Sequence, residues 1–294
     1  MSLAPSEFPD AETLAVCERF SRWLRQGGGL PIRGRPLAGG LAAGLDFEGH
    51  REYRPGHDLR HLDWALYARL RSLYVRTFED EGAGTLAVFV DTSASMGYGA
   101  PEKLDLARKV AAALAYAGLR ECHGVLLGAA HDGRLDTVAL TGGLAALEPG
   151  LEFLRGLEAR GRTRLAASFE NVPRLRTGGD AVLVTDLFDP EGIEGALDTL
   201  RRAGWQPDVV RITHADEWTA PTRGSAVLDP ETGASATAPR DTAALEARLE
   251  AWRVETRAHA LRRGCVVVEV DACLSLSRAL TTFFDTVFAV RGHV

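Results

Sequence analysis

The sequence predicts an α/β protein: a doubly wound, mostly parallel sheet with one antiparallel edge strand, preceded by an N-terminal extension. Three observations carry this expectation. From residue 85 onward, short uninterrupted apolar runs alternate with amphipathic helical segments, the pattern of central parallel strands covered on both faces by helices. Two of the runs, 125–130 and 135–140, are joined by His131-Asp132-Gly133, and Asp-Gly between strands signals a hairpin, hence an antiparallel pair. Before residue 81 the alternation is missing, which sets residues 1–80 apart as an extension and 81–294 as the α/β domain.

The elements follow in order. Residues 11–26 place Leu14, Val16, Cys17, Phe20, Trp23 and Leu24 at helical spacing and stop at Gly27-Gly28-Gly29, a helix with a glycine stop. Residues 45–80 are rich in arginine and aromatics but only weakly periodic, with a turn at Pro55-Gly56 and strand-like alternation over 72–78. Thr85 to Val90 reads as a strand buried on both faces, and 103–121 as a helix with Leu104, Ala107, Val110, Ala111 and Leu114 on one side. After the hairpin, helical patterns cover 143–159 and 165–175. Strands follow at 181–186 and 208–213, separated by a helix at 190–203. A second hairpin turns at Asp229-Pro230-Glu231-Thr232-Gly233. The chain closes with a helix over 241–263, a strand from Cys265 to Val270, and a helix carrying Leu276, Leu280, Phe283, Phe284, Val287 and Phe288.

Composition narrows the function classes. With 46% apolar and 25% charged residues, the chain can build a full core without disulfides or structural metal. A formal net charge of −6 argues against nucleic acid as a partner. The arginines of residues 51–76 are nearly cancelled by Glu52, Asp58, Asp63, Glu79 and Asp80, which fits ion pairs docking the extension on the domain, with Trp64 and Tyr67 as apolar anchors. Cys17, Cys122, Cys265 and Cys273 form no C-x-x-C pair or zinc spacing and read as free thiols. The first residues carry Glu7 and Asp10 in place of a basic, then apolar, leader, and no apolar run reaches the ~18 residues of a membrane span. The expected location is the cytoplasm, without membrane insertion.

Ligands of such sheets bind beyond the carboxyl ends of the strands, where strand order switches. The first strand ends there in Asp91-Thr92-Ser93-Ala94-Ser95. A carboxylate and two hydroxyls on alternate positions of one loop are hard oxygen donors, suited to Mg²⁺ or Mn²⁺. Alone the string is ordinary loop and N-cap chemistry. Two later connections change its weight: Gly161-Arg162-Thr163-Arg164 offers another hydroxyl, and the strand at 181–186 ends in a second carboxylate, Asp186.

Those residues resemble the metal-ion-dependent adhesion site of the von Willebrand factor A fold, with Asp91, Ser93 and Ser95 on the first loop, Thr163 on the second and Asp186 on the third. The resemblance implies that the hydroxyls hold Mg²⁺ (or Mn²⁺ or Ca²⁺), that the aspartates act largely through water, and that one coordination position stays open for an Asp or Glu of a partner protein. The run Arg51-Glu52-Tyr53-Arg54-Pro55-Gly56-His57-Asp58-Leu59-Arg60-His61-Leu62-Asp63-Trp64, with Ala68-Arg69 and Leu73-Tyr74-Val75-Arg76, is similar to the signature of the domain of unknown function 58 family. His57 stands where a second acid is frequent and Leu62 where isoleucine is usual. That resemblance implies an adaptor or co-chaperone working with a MoxR-type AAA+ ATPase.

Enzymatic readings fit less well. A phosphotransferase or hydrolase using Asp91 as nucleophile needs a second acid two residues on, where Ser93 stands. Gly-x-Ser-x-Gly and a phosphate-binding G-x-x-x-x-G-K-[ST] loop are both missing. His57 and His61, with Asp58 and Asp63, could be taken for a second metal cluster, but ion pairing with the surrounding arginines is the simpler reading. The sequence therefore predicts a protein-binding module and not a catalyst.

Overall fold

The computed structural model describes residues 15–19, 46–52, 74–79 and 85–291, apart from 123, 176–177, 219–220, 222–223 and 239–240. In the extension, β1 (Asp46–Glu52) pairs antiparallel with β2 (Tyr74–Glu79), with a bulge between Phe47 and Gly49. The alternation over 72–78 thus does mark a strand. Its partner β1 was missed, because DFEGHRE is interrupted by glycine and charge and its pairing joins segments far apart in sequence. The His57/His61 group and the anchors Trp64 and Tyr67 lie outside the described residues.

The domain is wound around β3 (Thr85–Asp91), in which every residue after Thr85 is buried. Side chains alternate along it: Val88 and Val90 enter one apolar core, Ala87 and Phe89 the other. It pairs in parallel with β4 (Gly124–His131) on one side and β6 (Gly179–Thr185) on the other. The antiparallel β5 (Arg134–Thr141) closes the edge beside β4, while β7 (Trp205–Thr213) and β10 (Val267–Asp271) extend the opposite side in parallel. The order of the six-stranded sheet is β10-β7-β6-β3-β4-β5, the doubly wound, mostly parallel arrangement expected. The β4–β5 turn is the Asp-Gly turn of the sequence, with φ of 47° at Asp132 and 73° at Gly133. Pro207 sits within β7 without breaking a ladder on its free side, because β10 joins β7 only from Val209 onward.

Helices α1 (Lys103–Glu121), α2 (Leu147–Arg155) and α6 (Leu276–Arg291) cover one face. On the other lie α3 (Leu165–Ser168), α4 (Glu194–Arg202) and α5 (Thr242–Arg262). Helix α5 starts where Asp241 accepts the N–H of Ala244 at 3.0 Å, an N-cap. Three helices are shorter than their periodicity suggests. Residues 143–146 form a 3-10 turn before α2. Pro173 forces Val172 into extended backbone and ends the helical run after α3. Gly192, with φ of 80°, delays the start of α4. The helical residues 15–19 lie against the first face, where Val16 and Cys17 join the core of α1 and α6. The exposed hairpin β8 (Ala226–Leu228) and β9 (Ser235–Thr237) stands apart from the sheet.

Candidate metal centre

Adjacent parallel strands bring two carboxylates to one edge. Val90 of β3 lies opposite Val184 of β6, so Asp91 and Asp186 emerge side by side at the carboxyl ends of the sheet. Asp91 is fully buried, and both of its oxygens are committed. Oδ1 accepts the Ser93 N–H at 2.9 Å and Oδ2 the Thr185 hydroxyl at 2.7 Å. Burial first, and then the charge of Asp186, push the Asp91 carboxyl up to about 7, against the opposing hydrogen bonds from Ser93 and Thr185. Asp186 is likewise held: Oδ1 accepts the Phe188 N–H at 3.0 Å and Oδ2 the Lys103 ammonium at 2.6 Å.

The hydroxyls come from two other segments. Ser93 and Ser95, both buried, face each other with 3.0 Å between their Oγ atoms. The loop after α2 is laced to theirs, since Arg160 donates its N–H to the Thr92 carbonyl at 2.8 Å and Ala94 donates to the Gly161 carbonyl at 3.0 Å. Arg162 is fixed in turn by the β4–β5 turn, donating its N–H to Asp132 Oδ1 at 2.7 Å. Thr163, buried, therefore reaches the same edge, and its hydrogen bonds run to Glu231 on the β8–β9 hairpin. Its N–H donates to Oε2 at 3.0 Å and its hydroxyl to Oε1.

All five predicted residues thus lie at one edge of the sheet, and three residues that sequence reasoning missed complete their surroundings. Lys103, 1% exposed, bridges Asp186 and Glu217. Its only sequence signal is rarity, as one of two lysines in an arginine-rich chain; a compact ammonium suits a point between two carboxylates where a planar guanidinium would not. Asp189 ties the third loop to the second by accepting the Leu165 N–H at 2.9 Å. Glu231 carried only a turn signal. Asp186 and Glu217 share the Lys103 ammonium, and neighbouring Arg211, also buried, donates to the Asp186 carbonyl at 3.3 Å and pairs with Glu269.

Among the described residues no three His, Cys, Asp or Glu form a ligand cluster. The donors here are instead hydroxyls with carboxylates behind them, a set suited to a small hard cation. Each aspartate oxygen accepts one hydrogen bond from the protein and keeps a further lone pair.

A doubly wound sheet with one antiparallel edge strand and a hydroxyl-bearing loop after its central strand is a von Willebrand factor A-like architecture. The family model described as protein of unknown function DUF58 matches residues 49–259, well over half of the chain, and the chain belongs to that family. Among curated proteins, none matches it in sequence. Similar solved structures include an aerotolerance-related membrane protein from Bacteroides fragilis, 18% identical, covering 69% of this chain and 98% of that one with a TM-score of 0.45. A second is the manganese-loaded TRAP protein of Plasmodium vivax, 14% identical over 69% of this chain and 72% of that one, at a TM-score of 0.38. A third is the SpRpn10 VWA domain, 10% identical over 68% and 94%, also at 0.38.

Proposed function

We propose that the chain is a metal-dependent protein-interaction module that grips an acidic residue of a partner through a divalent cation, Mg²⁺ or Mn²⁺, held at the edge of its sheet. Ser93, Ser95 and Thr163 would hold the cation, and Asp91 and Asp186 would support it through water. The cation supplies an electrophilic position: with few charged direct ligands it stays hungry for an incoming carboxylate. One observation carries the reading. Both buried aspartates have their oxygens bonded by protein donors, while the serine hydroxyls beside them face each other across 3.0 Å. The complete burial of Asp91 speaks against its use as a nucleophile.

A finer proposal, drawn from the resemblance of the segment 51–76 to its family signature, is an adaptor or co-chaperone that works in the cytoplasm with a MoxR-type AAA+ ATPase. No helix among the described residues is long and apolar enough to cross a membrane. Mn²⁺ titration by calorimetry tests the core of the reading. The wild type is expected to bind one ion, and Ser93→Ala to lose about tenfold or more in affinity. Equal heats from both proteins would overturn the site. Capture of the ATPase on immobilised chain, abolished by EDTA and restored by Mg²⁺, tests the partner.

A further inference from the structure

The β8–β9 hairpin buries almost nothing of itself. Every residue from 226 to 237 is exposed except Glu231, at its tip. The tip is nevertheless firmly built. Asp229 accepts the Glu231 N–H at 2.9 Å and the Thr232 hydroxyl, and its own N–H donates to the Ala234 carbonyl at 2.8 Å. Gly233, at φ of 70°, turns the chain back. This preformed turn aims one carboxylate at Thr163, where it accepts from both the N–H and the hydroxyl.

That placement works against electrostatics. Glu231 is among the neighbours that raise the Asp189 carboxyl, after burial and Glu191. Two hydrogen bonds to a neutral threonine are modest compensation for bringing a further carboxylate to such a site. A divalent cation among these hydroxyls reverses the balance, and Thr163 can donate its proton to Glu231 while offering a lone pair to the ion.

We propose that Glu231 is the chain's own carboxylate for this site, a tethered ligand that fills the position a partner's Asp or Glu would take and that must swing away with its hairpin before a partner can bind. The proposal rests on the reading of the three loops as a metal centre. Tethering gives Glu231 an effective concentration in the millimolar range or above. A bare carboxylate in solution therefore competes poorly, and a true partner must offer further contacts or pull the hairpin aside.

The test uses the full chain with Mn²⁺ as probe, comparing wild type, Glu231→Gln and Glu231→Ala by electron paramagnetic resonance and water-proton relaxation. Both substitutions leave in place the turn's own hydrogen bonds, which run to Asp229. The expected result is about a tenfold loss of Mn²⁺ affinity in both variants. Relaxation enhancement per bound ion should also rise, because water replaces the lost ligand. Acetate should then lower that enhancement in the variants at concentrations that leave the wild type unchanged. Equal affinity and equal enhancement in all three proteins overturns the role of Glu231 and leaves the metal centre standing. Failure of the wild type and both variants to bind Mn²⁺ overturns the two readings together.

Discussion

Lys103 is buried between two carboxylates, Asp186 and Glu217. Burial pulls its pKa down, but Asp186 and Glu217 more than reverse this and keep it above its ordinary value. Breaking a buried pair from one side leaves uncompensated charge, which typically costs about 3–5 kcal/mol. Lys103→Met, which keeps the stem and removes the ammonium, should therefore destabilise the metal-free chain by about that amount in urea titrations. Added Mg²⁺ should restore more stability to this variant than to the wild type, because the cation then faces Asp186 unopposed. Asp91→Asn should act oppositely. The raised carboxyl means the folded state resists ionisation: the penalty is absent below the unfolded value of 3.8 and fully present above about 7. The variant should thus gain on the order of 1–3 kcal/mol in metal-free stability at pH 8 and nothing at pH 4, while losing Mn²⁺ binding. A gain that is the same at both pH values would show that packing, not charge, is responsible. Asp91, Ser93 and Ser95 could be read from one loop of sequence. Lys103 and Glu231 could not, since their contacts to Asp186 and Thr163 span 83 and 68 residues.

Among the elements, α1 is closely fitted to the sheet. A Cβ at Gly118 would come within 2.7 Å of Val125 Cγ2 and 2.9 Å of Leu86 Cδ2. Two effects oppose each other in Gly118→Ala. Helix propensity favours alanine by about 1 kcal/mol, whereas forcing a methyl into a packed interface costs about 1–3 kcal/mol. Val125 is stiff at χ1 and lies in a central strand, so packing wins, and the variant should be less stable by about 1 kcal/mol in chemical denaturation. A more stable variant would show that the interface yields. The extent of α1 follows from its uninterrupted apolar stripe between Pro101 and Cys122, and periodicity placed it correctly. Periodicity overran 143–159 and 165–175 because apolar spacing continues through 3-10 turns, where the last turn tightens or a proline intervenes. The strand β1 was hidden for the opposite reason, since a ribbon paired over a long sequence gap leaves little local pattern.

At the scale of the whole molecule, the helical stretch 15–19 packs against α1 and α6 on the first face of the sheet. Cys17 is 1% exposed, its thiol lies 3.9 Å from the Ala113 carbonyl, and Arg19 reaches Thr281 of α6 at 3.3 Å. Burial pushes the Cys17 thiol up to about 12, with only a small opposing contribution from its backbone hydrogen bond. Folded Cys17 keeps its proton until about pH 12, whereas the unfolded thiol releases it near 9. Stability is therefore intact below pH 9 and falls as pH rises above it. Between pH 8 and 10 the wild type should lose about 1.4 kcal/mol more than Cys17→Ala, whose unfolded state has no such proton to release. Alkylation with iodoacetamide at pH 8 provides a second measurement of the same docking. Exposed Cys273 should react at once, while Cys17 should react only at the rate of global unfolding and speed up with urea in step with it. If Cys17 instead labels quickly and independently of urea, the helical stretch 15–19 undocks locally from α1 and α6.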